Sequence, residues 1–317
     1  MTFFVTFLIF IVLLFLYIHI NDQYKKSEDL EIYEMDYISN ANLQEVCNVK
    51  QPILFEFQSI YPTIFEKIKQ GEHIHKTDDI DIKVRDVLDY WDPNTSSVDP
   101  ILLPFRSFQT LAESDPVGHY FMEDNQDFLQ ETDFLNDIRD IDAFLRPPLT
   151  VNLKYDCMMG SNNAGIPLRY HTDYRKFLLV GSTNKLGKIT VKMTPWRSRK
   201  YLDPVKDYEN YEFWSRVNPW NPQPCYKDEM NKLKFLEFEV HEGYLLYIPP
   251  YWWYSIKFSN CETSVFTLTY QTAINILSNS PDIARYYLQF HNTTHKTTRT
   301  LDISPEVDTP EIPHQTE

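Results

Sequence analysis

The chain has 317 residues, 30 Lys and Arg against 45 Asp and Glu for a formal charge of −15, and 21 Phe, 21 Tyr and 6 Trp beside only 7 Gly. Its apolar content suffices for a large core, while the acidic balance argues against sequence-independent binding to DNA, RNA or an anionic membrane surface. No three glycines fall at dinucleotide-binding spacing, and Gly160 and Gly165, which have the internal spacing of a P-loop, are followed by Ile166-Pro167 where Lys-Ser/Thr is required, so nucleotide hydrolysis by that route is excluded.

The first element is an apolar run, Phe3 to Ile20, without a formal charge. At about 1.5 Å per residue it reaches about 27 Å, close to the thickness of a bilayer core. It lacks the basic start and small-residue cleavage site of a secretory signal, so it reads as an uncleaved transmembrane anchor over residues 1–21. Lys25 and Lys26 follow the span, and the positive-inside rule then places the globular part on the cytosolic side. Two sequons, at Asn94 and Asn292, would matter only in a lumenal domain.

Residues 22–48 are polar and acidic and read as a tether that merges into the domain. The domain proper is expected over 49–291, and a disordered tail over 292–317, where proline recurs without any helical or strand period. Within the domain, residues 51–57 read as a strand, 61–70 and 82–91 as helices, and 118–124 as a strand ahead of a helix-rich stretch that ends near Arg146-Pro147-Pro148. From Thr150 the texture changes to short, regularly spaced strands closed by a helix around 280–290. This predicts a mainly β fold with flanking helices, a sandwich or barrel. Cys47, Cys157, Cys225 and Cys261 form no C-x-x-C pair, which argues against a disulfide scaffold or a cysteine zinc site.

Two segments carry chemistry. His171-Thr172-Asp173 lies in a stretch read as a strand, where alternation puts His171 and Asp173 on one face, able to grip one metal ion. In an acidic chain, a histidine hydrogen-bonded to a nearby carboxylate is the plain alternative. The second segment, Glu242 to Tyr254 (EGYLLYIPPYWWY), reads as a tight turn, an apolar strand, a proline corner and a return strand.

With its glycine turn, Ile-Pro and paired tryptophans, this second segment resembles the closing strands of JmjC-type cupins, the group that includes the asparaginyl hydroxylase that inhibits hypoxia-inducible factor. The His-x-Asp pair upstream stands where that pattern expects it, and the resemblance covers roughly residues 49–275. It implies a double-stranded β-helix, or jelly roll, in which His, Asp and a second His hold Fe(II) while 2-oxoglutarate and oxygen fill the other positions. Carried over, His171 and Asp173 match the first two ligands. The third position holds Tyr254, and a phenol with a pKa of about 10 is a poor ligand for Fe(II). Lys188 is the best match to the lysine that pairs with 2-oxoglutarate, with Lys192 on the same strand face and an exposed strand residue as the plainer reading of either.

The resemblance therefore implies a membrane-anchored cupin that has lost oxygenase chemistry and serves as a binding or structural module, with a protein as its expected partner. The alternative is an Fe(II)/2-oxoglutarate hydroxylase using His171 and Asp173 alone. The amino-acid bias of an AT-rich genome, joined to the anchor, resembles proteins of large DNA viruses. Three further features read as structural. Tyr247, Tyr251, Trp252 and Trp253 read as packing, the His291/His295 pair as a frayed helix end, and the cationic run Trp196 to Tyr201 (WRSRKY) as paired with Asp203 and Asp207.

Overall fold

A computed structural model describes residues 2–300 apart from 76, 133, 185–186 and 293–298. The apolar N-terminal run is one helix, α1 (Thr2–Gln23), whose 22 residues span about 33 Å and whose apolar stretch is not covered by the rest of the chain. It is long and apolar enough to cross a membrane. Only its last turns touch the domain, where Gln23 is buried.

The strands, in chain order, begin with β1 (Tyr33–Glu34), β2 (Ile53–Glu56), β3 (Asp81–Asp86), β4 (Ile101–Pro104), β5 (Tyr120–Met122) and β6 (Thr150–Gly160). They continue with β7 (Arg169–Tyr170), β8 (Arg175–Ser182), β9 (Lys188–Thr194), β10 (Pro204–Asp207) and β11 (Glu212–Ser215). The last are β12 (Leu236–His241), β13 (Tyr244–Ile248), β14 (Trp253–Phe258), β15 (Thr263–Thr272) and β16 (Arg299–Thr300). Among the described residues they form a ten-stranded sheet, β1-β2-β13-β8-β15-β6-β5-β3-β4-β16, and a six-stranded sheet, β10-β11-β7-β14-β9-β12. Apart from the parallel β1–β2 and β4–β16 pairs, neighbours are antiparallel. From β6 to β9, and again from β12 to β15, successive strands alternate between the two sheets.

The helices are α2 (Asn40–Cys47), α3 (Pro62–Lys69), α4 (Phe105–Ser114), α5 (Gln126–Gln130), α6 (Phe134–Asp140), α7 (Asp142–Leu145), α8 (Lys227–Met230), α9 (Ala273–Ser278) and α10 (Ser280–Asn292). Two cores result, one on each face of the large sheet. Leu43, Ile64, Ile68, Phe108 and Phe134 from the helices pack on Phe177, Leu179, Phe266 and Leu268. On the opposite face Leu178, Val180, Leu246 and Val265 meet Ile189, Val191, Met193 and Ile256 of the small sheet. Strand period two explains why Phe177-Leu178-Leu179-Val180 is apolar without interruption, since both of its faces are covered. Each such buried side chain contributes about 1.5–3 kcal/mol. The fold is thus mixed, with large antiparallel sheets and a helical layer, rather than mainly β.

Several sequence expectations change. Residues 82–91 are not a helix: β3 pairs with β4 and β5 and buries Ile82 and Val84 on one face, and a 3₁₀ turn follows over Val87–Trp91. The stretch read as a tether carries β1 and α2, and Leu43 and Cys47 of α2 belong to the core. The tail read over 292–317 lies outside the described residues, except for the end of α10 and the backbone of β16.

Candidate functional site

At one end of the inter-sheet core the apolar filling gives way to a polar cavity of about 230 Å³. Alternation builds its floor. Asn152, Lys154, Asp156 and Met158 of β6 and Thr267, Thr269 and Gln271 of β15 line it, while Leu153, Tyr155, Phe266 and Leu268 on the other face serve the helical core. In register, Asp156 stands opposite Thr267 and Asn152 opposite Gln271. The small sheet closes the other side with Arg169, Glu212 and Tyr254.

His171 and Asp173 both line this cavity, but they sit just past the end of β7 rather than within a strand, so strand alternation does not pair them. A loop does. Asn275 and Asn279, from α9 and the turn after it, donate to Thr172 O at 3.0 and 2.9 Å, and the Tyr251 N–H donates to His171 O at 2.9 Å. His171 Nδ1 then lies 3.6 Å from Asp173 Oδ2, and Asp173 Oδ1 accepts from Gln271 Nε2 at 2.7 Å. Burial pushes the His171 pKa down to about 4 despite Asp173, so the ring is neutral at pH 7. Because Nε2 lies 3.0 Å from Ile248 O, which can only accept, Nε2 carries the proton and Nδ1 the lone pair. That Nδ1 has no hydrogen-bond partner.

Tyr254 is buried at 2 % exposure and lines the same cavity. Its ring stands edge-on to His171 with centroids 6.3 Å apart. The Arg169 guanidinium and the Lys176 ammonium lie 5.9 and 5.8 Å from its centroid.

Beside these residues lies an ionic network that the sequence reading missed. Arg85, 3 % exposed, reaches Glu212 at 2.7 Å, Asp124 at 3.1 Å and Glu123 at 3.6 Å, and donates to Tyr90 Oη at 2.8 Å. Arg169 forks onto both oxygens of Glu123, and Lys154 binds Asp124 at 2.8 Å. Burial pushes Glu212 up to about 7 against the pull of Arg85, and pushes Asp156 up to about 7 with the help of Asp124. Asp124 is only half-buried, and Lys154 and Arg85 hold its carboxyl below the usual range. These residues come from five separated segments, none with a motif. The readable signal was the polar face of β6, Asn152-Lys154-Asp156.

The implied Fe(II) site can be tested against these donors. His171 Nδ1 and Asp173 Oδ2 supply two. Among the described residues, Glu123, Asp124 and Glu212 form the one group of three His, Cys or carboxylate residues close enough to share an ion, and it includes neither His171 nor Asp173. Arg85, Arg169 and Lys154 already neutralise that group. The residues therefore do not supply a three-donor face. Nor does β9 offer a cation to 2-oxoglutarate, because its inward residues are Ile189, Val191 and Met193. Lys188 lies outside the cavity, paired with Glu239 at 2.7 Å, and Lys192 is paired with Glu237 at 3.4 Å.

The other candidates separate as well. Trp252, Trp253 and Tyr247 are buried in the core, and Tyr251 is nearly so. His291 lies in the last turn of α10, and His295 lies outside the described residues. The WRSRKY turn does not pair with Asp203 or Asp207. Asp203 is taken by Arg216 and Tyr226, Asp207 accepts turn N–H groups, and Arg197 pairs instead with Glu28. Compared with known proteins, the chain matches no family model and no curated protein.

Proposed function

We propose that this protein is a membrane-anchored jelly roll of the JmjC-type cupin kind that binds a ligand or protein partner and does not carry oxygenase chemistry. The order β13-β8-β15-β6 facing β7-β14-β9-β12, with strands alternating between sheets, supports the double-stranded β-helix. The observation that carries the loss of chemistry is Tyr254. It shares the cavity with His171 and Asp173, its ring is held among His171, Arg169 and Lys176, and among the described residues no histidine or carboxylate completes a third donor with them. A two-donor site lacks the chelation that normally holds iron. The apolar inward face of β9 argues separately against 2-oxoglutarate. The length and apolarity of α1 support the anchor, and Lys25 and Lys26 just past it support a cytosolic domain.

One observation favours the alternative hydroxylase: the unpartnered Nδ1 of His171 facing Asp173. Calorimetry on the full chain in lipid nanodiscs separates the two, with Mn(II) as an oxygen-stable probe, with and without 2-oxoglutarate, for wild type and Tyr254→His. The binding-module reading expects no uptake of either by wild type and uptake of Mn(II) alone by the variant. Tight binding of both by wild type would overturn the binding-module reading and turn the search to a hydroxylation substrate.

A further inference from the structure

The fold gathers cations at the foot of α1 that are scattered in sequence. Lys26, three residues past the helix, places its Nζ 4.4 Å from the Trp196 ring and 4.5 Å from the Tyr251 ring. The Arg199 guanidinium lies 4.9 Å from the centroid of the same Trp196 ring, and Arg197 reaches Glu28 at 3.7 Å. The 3₁₀ turn Trp196–Tyr201 is thereby clasped to the segment that leaves the membrane helix. Arg197, Arg199 and Lys200 are exposed, and Arg199 and Lys200 form no ion pair among the described residues. Lys25 and Arg197 are paired with Asp22 and Glu28, so the patch of five cations keeps a net positive sign in a chain whose overall charge is strongly negative.

Its height is fixed too. Leu16 and Ile20 of α1 are half-buried, Asn275 Nδ2 donates to Gln23 Oε1 at 3.4 Å, and the Tyr24 hydroxyl donates to Ser278 O. α1 is therefore docked on α9 and does not swivel on a loose linker. From Ile20 to Lys26 the chain rises at most about 15 Å. The headgroup zone is about 5–8 Å deep and the surface potential extends about a Debye length of 8–10 Å beyond it.

We propose that Lys25, Lys26, Arg197, Arg199 and Lys200 form a collar that binds acidic phospholipid headgroups of the membrane holding α1 and seats the domain on that surface. The inference rests on the reading of α1 as a membrane span. Chain-wide charge argues against an anionic surface, but the potential falls off over a Debye length, so the few cations nearest the bilayer decide the contact. The loop carrying His171 and Asp173, tied to α9, is then held close to the bilayer.

The test is amine-reactive footprinting, read by mass spectrometry, on the full chain in nanodiscs of phosphatidylcholine alone or with about 30 % phosphatidylserine. Lys69, exposed on α3 next to Ile68, which packs on Gly181 near the far end of β8 from Arg175, is the internal control. The collar expects labelling of Lys25 and Lys200 to fall at least about fivefold with phosphatidylserine, to recover in about 0.5 M salt, and Lys69 to be unchanged. Arg199→Glu, at an exposed position, should weaken the protection of Lys25. Equal labelling in both lipids, with the protein retained in the disc, overturns the collar and leaves the anchor standing. Release of the chain from the disc by alkaline carbonate overturns the anchor and the collar with it.

Discussion

Replacing Arg85 with Met removes the cation at the centre of the buried network while roughly keeping its volume. Three carboxylates, from Glu123, Asp124 and Glu212, then face one another with oxygens within 4.8 Å, with Arg169 and Lys154 as the cations left beside them and the Tyr90 hydroxyl donating to Glu212. Breaking a buried pair from one side costs about 3–5 kcal/mol, because the orphaned charges stay out of water. For a domain of this size that is on the order of 10 °C in melting temperature. The loss has a pH signature. Glu212 is already pushed up to about 7 with Arg85 present, and without it the folded state binds a proton still more tightly, while the unfolded carboxylates stay ionised down to about pH 4.3. Acidifying from pH 7.5 to 5 protonates folded Glu212 in wild type too as pH passes about 7, but the variant holds its proton more tightly, so the deficit shrinks by that excess alone, at most about 1 kcal/mol. Arg85→Met/Glu212→Gln, which removes both partners, should recover part of the loss at neutral pH. Denaturant titration of the full chain in detergent reads all three proteins. A deficit under about 1 kcal/mol at pH 7.5, or one that does not shrink on acidification, would refute the assignment of these groups as a mutually dependent charge cluster.

His73, fully buried with Nε2 2.9 Å from Ser264 Oγ, has its pKa lowered by burial to about 4. The unfolded state takes up a proton first, so the contribution is intact above about pH 6.5 and is lost as pH falls toward 4. Relative to His73→Gln, wild type should lose about 3 kcal/mol between pH 7 and 4 by denaturant titration, and parallel curves would contradict this. Gly118 has φ +80°, and a Cβ there would stand 2.7 Å from Asn162 O and Ala164 N. Gly118→Ala should cost at least about 2 kcal/mol, and an unchanged denaturation midpoint would mean that the loop over 162–164 yields. Tyr254→His should acquire Mn(II) without 2-oxoglutarate; calorimetric uptake of both would show that a single position disabled the site.

The sequence by itself determined the local elements whose signal is long or periodic. An uncharged run of 18 residues from Phe3 can satisfy its backbone only as a helix in an apolar phase, and α1 follows from that. Strands from Thr150 onward were legible because alternation and turn residues are local properties, whereas His171, Asp173 and Tyr254 were grouped as candidates only by the family resemblance. Only tertiary structure decided what long-range partners decide. Residues 82–86 became a strand because β4 and β5 offer edges that outweigh local helical pattern. The cavity's charge balance depends on Arg85, Glu123, Arg169 and Glu212 meeting across both sheets, which no spacing in one segment encodes. The WRSRKY turn found Glu28 and Lys26 rather than its sequence neighbours Asp203 and Asp207, because Arg216 and backbone N–H groups had already claimed those carboxylates. Charge pairing acts through space over a few ångströms, and the order of residues along the chain does not fix which charges end up that close.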